Sequence, residues 1–270
     1  MGLLLDKKGL TMFPSFYISH GSPMLALDAG KTGLAWQRLA ADLPKPKVIL
    51  MVSAHWGSLQ PAVGAASQPE TIHDFGGFPA ALFDLQYPAP GAPWLAEKVA
   101  AVLEGVGLPV AVHPSRGLDH GAWVPLRVMY PDADVPVVQL SIQPRQGPEH
   151  HYRLGQALAG LQQEGVMIIG SGSLTHNLYD VMGDLLEGDP RVPAYVPAFQ
   201  AWMNEKLLAN DINALLDYRR QAPEASRAHP TDEHLLPIFV VLGAAQGKKV
   251  ERSHSGITGG VLAMDVYRWQ

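Results

Sequence analysis

The chain has 270 residues, 47% of them apolar and 17% charged, and its formal charge is −5 with lysines and arginines scattered rather than clustered. That describes a compact core without a long disordered arm, and it excludes the basic stripe a nucleic-acid partner requires. The absence of cysteine excludes disulfides and thiolate metal sites, so any tightly held metal must rely on His, Asp or Glu; this suits the cytoplasm.

Leu3-Leu4-Leu5 is broken at once by Asp6, Lys7 and Lys8, which is too short an apolar run for a signal peptide or membrane span. Residues 1–12 read as a loose leader, and residues 13–270 as one domain. Short β-branched runs then recur at Phe16-Tyr17-Ile18, Val48 to Val52, Val110 to Val112, Val135 to Leu140, Val166 to Ile169 and Val261 to Met264. Runs apolar on both faces predict inner strands of a covered sheet. Between them, Pro93 to Glu104, Tyr152 to Glu164, Pro197 to Ala209 and Glu233 to Ala245 carry apolar residues at helical spacing. The expected fold is α/β: a single domain with a central, mostly parallel sheet flanked by helices. The stretch 68–93, rich in Gly, Pro and aromatics, reads as a long functional loop, with further connections at 181–194 and 222–232.

Of eleven histidines, His20 ends the first strand, His55 the second, and His176 follows Ile168-Ile169 after a Gly-Ser-Gly-Ser run. Open α/β sheets bind ligands at such strand ends. One histidine there is more often structural; three in the same topological position point to a shared crevice and a metal. His234 is expected at the start of a helix capped by Thr231 or Asp232. Its neighbour Glu233 points about 100° away around a helix and so does not share a metal with it. His73 and Asp74, before Phe75-Gly76-Gly77-Phe78, read either as part of a loop closing over substrate or as a packed glycine turn. Asp119-His120 reads either as a pocket pair or as an N-cap aspartate beside an exposed histidine. His113, His150, His151 and His254 read as surface or structural.

His20-Gly21-Ser22-Pro23, Ser53-Ala54-His55-Trp56, His73 to Pro79, Tyr87 to Gly91, Asp119-His120-Gly121, Tyr130 to Asp134 and Pro230 to His234 together resemble the 4,5-DOPA extradiol dioxygenase family. That family lies within the class III, LigB-like ring-opening dioxygenases. The resemblance implies that His20, His55 and His234 bind one metal ion. It also implies that His176 beside it is an acid/base or a fourth ligand, that His120 lines the pocket, and that His73 and Asp74 close over the substrate. It implies iron(II) for turnover, with zinc often bound in purified protein, and a small aromatic diol and dioxygen as partners, without nucleic acid or membrane. His229 shares a block with His234 but receives no role.

Two other classes compete. Three histidines and a water, with Glu233 as base, suit a zinc hydrolase, and a pocket without turnover suits a binding module of the same fold. Gly170-Ser171-Gly172-Ser173 matches neither the G-x-S-x-G nucleophile elbow nor a phosphate loop, which requires a following Lys.

Overall fold

The computed structural model describes residues 12–180 and 192–270. Its strands are β1 (Ser15–Ser19), β2 (Val48–Gly57), β3 (Ala62–Gly64), β4 (Ala111–His113), β5 (Val137–Ile142), β6 (Val166–Gly172), β7 (Val250–His254), β8 (Ile257–Thr258), β9 (Leu262–Ala263) and β10 (Val266–Trp269). Eight form one sheet in the order β4-β3-β5-β2-β6-β1-β10-β7, and β8 and β9 pair separately. The central strands β5, β2, β6 and β1 run parallel, while β10 returns antiparallel beside β1. The longer helices are α1 (Gly30–Ala41), α2 (Pro93–Glu104), α3 (His120–Met129), α4 (Gly147–Leu158), α5 (Tyr195–Leu208) and α6 (Leu236–Ala245).

Alternate residues of the central strands enter different cores, as the period of two along a strand requires. Leu50, Val52, Ile168 and Tyr17 pack with α2, α4, α5 and α6, whereas Ile49, Met51, Ile169, Phe16 and Ile18 pack with α1 and α3. Fully burying one such side chain contributes about 1.5–3 kcal/mol, so both helical layers are bound firmly to the sheet. This is the expected mixed α/β architecture. Among the described residues, no helix is long and apolar enough to cross a membrane.

Several elements depart from expectation. The run Val261 to Met264 does not enter the main sheet: β9 pairs only with β8, and the sheet strand is the following β10. Strands β3, β7 and β10 were not expected from the sequence: β3 is only three residues long, β10 is interrupted by Arg268, and β7 reads Val-Glu-Arg-Ser-His because it is an edge strand with solvent on one side. The helix predicted from Glu233 begins at Leu236, where Pro237 occupies the first turn and fixes its φ. Asp232 does not cap it, because that carboxylate is held by Tyr218 Oη at 2.7 Å and by Arg219. The helix predicted over Tyr152 to Glu164 starts earlier, at Gly147, and tightens to a 3-10 turn beyond Leu158. The leader up to residue 11 and residues 181–191 of the predicted connection lie outside the described residues.

His151, on α4, is fully buried and structural. Its Nδ1–H donates to the Gly147 carbonyl at 2.6 Å, and its Nε2 accepts the Gln143 N–H at 3.0 Å. Acceptance at Nε2 requires the neutral ring, and burial holds its pKa down from 6.5 to about 4. A base with a depressed folded pKa contributes stability above its unfolded pKa and loses it as pH falls toward the folded value. His151→Gln should therefore flatten the loss of stability between pH 7 and pH 5 by up to about 2 kcal/mol. Denaturant titrations at the two pH values measure this, and equal slopes for parent and variant would refute it.

Candidate metal centre

The parallel strands β1, β2 and β6 end at one edge of the sheet, and the histidines gather there. His20 leaves β1 directly into Gly21, whose φ of +63° turns the chain away from the strand. His55 lies within the end of β2 rather than beyond it. His234 sits in the turn before α6, its carbonyl held by the Ser173 N–H at 2.9 Å and the Tyr17 hydroxyl at 3.3 Å.

Their Nε2 atoms converge: His20 to His55 is 3.0 Å and His55 to His234 is 3.3 Å. Behind each ring an oxygen faces Nδ1, namely Ser171 Oγ at 3.0 Å for His20, Asp74 Oδ2 at 3.3 Å for His55 and Glu233 Oε1 at 3.3 Å for His234. The Ser171 hydroxyl donates its own proton to the Gly121 carbonyl at 2.5 Å, so toward His20 it can only accept. This arrangement places the ring protons on Nδ1 and leaves three Nε2 lone pairs facing one another. Burial keeps the rings neutral: His20 and His234 are held well below the ordinary imidazole value and His55 at about 4, each depressed further by neighbouring histidines. Neutral imidazoles with converging lone pairs and an acceptor behind each ring form a donor set that fits a divalent cation.

Two other groups of potential ligand atoms, His55 with Asp74 and His120, and His176 with Glu233 and His234, share members with this set. In both, the carboxylate lies behind a ring of the triad. Glu233 also accepts from Thr231 Oγ1 at 2.9 Å. Burial pushes its carboxyl up, but the His234 hydrogen bond and the other donors overcome this and bring it to about 2.

His176 stacks on His234, with ring centroids 3.5 Å apart and planes at 7°. Burial lowers its pKa to about 4 against the pull of Glu233. His120 opens α3, and its ring lies 3.9 Å from that of His55. It is buried rather than exposed. Asp119 occupies the cap position of α3 but makes no capping bond. Its carboxylate instead accepts from Ser53 Oγ at 2.6 Å, Gln139 Nε2 at 2.7 Å and Arg116 at 2.8 Å, tying β2, β5 and α3 together beneath the site.

All five histidines line one cavity of about 620 Å³, whose outer wall includes Met24, Phe75, Phe78, Leu178 and Leu262. His73, expected at the substrate, is not brought there. Its Nε2–H donates to the Leu85 carbonyl at 2.9 Å, and its ring packs among Phe75, Phe83 and Trp123. Asp74 does line the cavity, but its oxygens face His55 and His120. Burial pushes the Asp74 carboxyl up, yet the His120 ring and N–H beside it bring it down to about 2.

Sequence reading missed Ser171, whose only signal was the Gly-Ser-Gly-Ser run. The glycines have a steric reason: a Cβ on Gly172 would lie 2.0 Å from the His234 carbonyl oxygen, and one on Gly170 2.5 Å from that of Pro237. The turn that carries His234 can approach β6 only because side chains are missing there. The wall supplied by β8 and β9 through Thr258 and Leu262 was missed as well: the Val261 to Met264 run was legible as a strand but not as part of the site.

A mixed α/β sheet carrying a histidine cluster at its parallel strand ends has the donor set of a metal-site protein. The family model described as the catalytic LigB subunit of aromatic ring-opening dioxygenase matches residues 14–261, and the chain belongs to that family. It is similar to the 4,5-DOPA dioxygenase extradiol of Beta vulgaris, with 42% identity over 94% of this chain and 96% of the relative. The protein of the same name from Escherichia coli K12 is 39% identical over 94% of this chain and 93% of its own. A crystal structure of an uncharacterized Escherichia coli K12 protein superposes with a TM-score of 0.81 at 33% identity, covering 96% of this chain and 100% of the other.

Gly172→Ala should force the His234 turn off β6. Overpacking of this kind costs about 1–3 kcal/mol, and the variant should unfold at lower denaturant concentration than the parent. An unchanged midpoint would show that the contact is not the constraint it appears from geometry.

Proposed function

We propose that this chain is an extradiol ring-cleaving dioxygenase that opens a catechol with dioxygen at one metal ion held by His20, His55 and His234. The observation that carries the reading is the convergence of three neutral Nε2 atoms on one point, with an oxygen behind each ring, inside a cavity walled by aromatic and aliphatic side chains. Family membership supports the reaction class, and the relatives' names support a DOPA-like catechol. Iron(II) is the metal proposed for turnover. Zinc is accommodated by the same neutral nitrogen donors. The cytoplasm is the proposed compartment.

When bound, the metal supplies the positive charge that acidifies a catechol hydroxyl and the redox path between ring and dioxygen. The chain's own residues do the rest. Phe75 and Phe78 pack the aromatic ring and, with Met24 and Leu178 at the mouth, keep water from the reacting face. His176, neutral because burial depresses its pKa, presents an imidazole that accepts the substrate hydroxyl proton and returns a proton later in the cycle. Its stacking on His234 fixes the ring plane beside the metal ligands. His120, its ring 3.9 Å from that of His55, hydrogen-bonds the oxygens of the bound reactants.

The hydrolase alternative gains no support. Glu233, its required base, is directed at His234 Nδ1 and Thr231 Oγ1.

Anaerobic reconstitution with iron(II), followed by oxygen-electrode assays across a small catechol panel, tests the reading. The loaded protein should consume oxygen only with a catechol present. His176→Ala should retain the metal yet lose about 10²–10⁴-fold in kcat, the usual contribution of a general acid–base group. No oxygen uptake by a fully iron-loaded protein would overturn the assignment.

A further inference from the structure

The segment carrying Asp74 is anchored on both sides of that residue. Ile72 donates its N–H to the Leu118 carbonyl at 2.8 Å and accepts from Trp123 Nε1 at 3.0 Å. His73 is tied to the Leu85 carbonyl. Phe75 packs its ring against those of His120 and Trp123, with centroids at 5.7 and 6.3 Å. Between these fixed neighbours, Asp74 reaches two histidines at once. Oδ1 accepts the His120 backbone N–H at 2.9 Å, and the two carboxylate oxygens lie 3.3 Å from His55 Nδ1 and 3.0 Å from His120 Nδ1 as close contacts, both off the line of a good hydrogen bond.

We infer that Asp74 is a positioning residue rather than a substrate-binding one: it holds His55 as the Nδ1–H tautomer, with Nε2 turned to the metal, and locks His120 against that ring. The inference rests on the reading of His55 as a metal ligand. Its chemistry is specific to a carboxylate. Asp74 faces an N–H group at each oxygen, and an ionised carboxylate is acceptor-only. An asparagine at the same place accepts at one atom and donates at the other, so either His55 Nδ1–H or the His120 N–H would face a donor. His73 then has a function that its distance from the cavity obscured, since its bond to Leu85 fixes the backbone from which Asp74 projects.

The test is the zinc dissociation constant of the full chain, measured by competition with a chromophoric chelator, alongside thermal unfolding of the metal-free protein. Loss of an outer partner of a metal-binding histidine typically weakens affinity 10–100-fold. Asp74→Asn should fall in that range while its metal-free unfolding temperature stays close to the parent's. His73→Phe, which keeps the aromatic packing and loses only the Leu85 bond, should weaken zinc several-fold and serves as the readout where Asp74→Asn does not fold. Parent-like zinc affinity in a folded Asp74→Asn protein, with a raised catechol KM alone, would overturn the inference and restore a substrate-binding role. A parent protein that binds neither zinc nor iron(II) would overturn the metal reading beneath it.

Discussion

Three imidazole lone pairs held within 3.0 and 3.3 Å of each other are mutually repulsive unless a cation lies between them. The fold spends much of its local design on keeping them there. Each ring could relieve the repulsion by rotating or by moving a proton to Nε2, and each is prevented by an oxygen facing Nδ1. The three oxygens come from separate elements: Ser171 from β6, Asp74 from the loop beyond β3, and Glu233 from the turn before α6. The arrangement of the triad thus depends on the placement of three separate elements.

That dependence accounts for the small residues around the site. His234 reaches the cluster because β6 offers Gly170 and Gly172 to the incoming turn. His55 is approached by α3 because its second residue is Gly121, where a Cβ would lie 2.5 Å from Ser53 Oγ and 3.0 Å from the His55 ring. The Gly121 carbonyl in turn accepts the Ser171 hydroxyl and so decides which way that hydroxyl points. A backbone group on a helix thereby sets the protonation pattern of His20 on another element, through a single serine.

The parts of this arrangement that were legible in sequence are those with a local signature. Val48 to Val52 and Val166 to Ile169 read as buried strands because both of their faces are apolar, and a histidine close behind such a run marks a strand end. Tertiary partners leave no such mark. Val250 to His254 joins the sheet as a charged edge strand, and nothing local distinguishes it from a loop. Glu233 and His234 looked incompatible on a helix. They lie in a turn instead, where the carboxylate can fold back behind the neighbouring ring. Asp74 and His73 were visible as polar residues in an aromatic, glycine-rich stretch, which reads as a substrate loop. Their actual targets, His55, His120 and the Leu85 carbonyl, depend on the packing of Trp123 and Phe75.

The placement of charge follows from the same geometry. A neutral triad leaves a divalent ion with its full charge toward the substrate, whereas a directly ligating carboxylate would neutralise part of it. A dication in an apolar cavity is nonetheless costly unless negative charge lies near. Asp74 and Glu233, both held ionised with pKa values of about 2, stand one imidazole away from the point where the proposed triad would hold an ion. Two carboxylates balance two positive charges in total, yet each acts through a ring that it also orients, raising the basicity of the ligand without occupying a coordination position. On the proposed reading, the positions not taken by His20, His55 and His234 would stay open to substrate, and the ion's acidifying power would be directed at the substrate hydroxyl rather than at the protein.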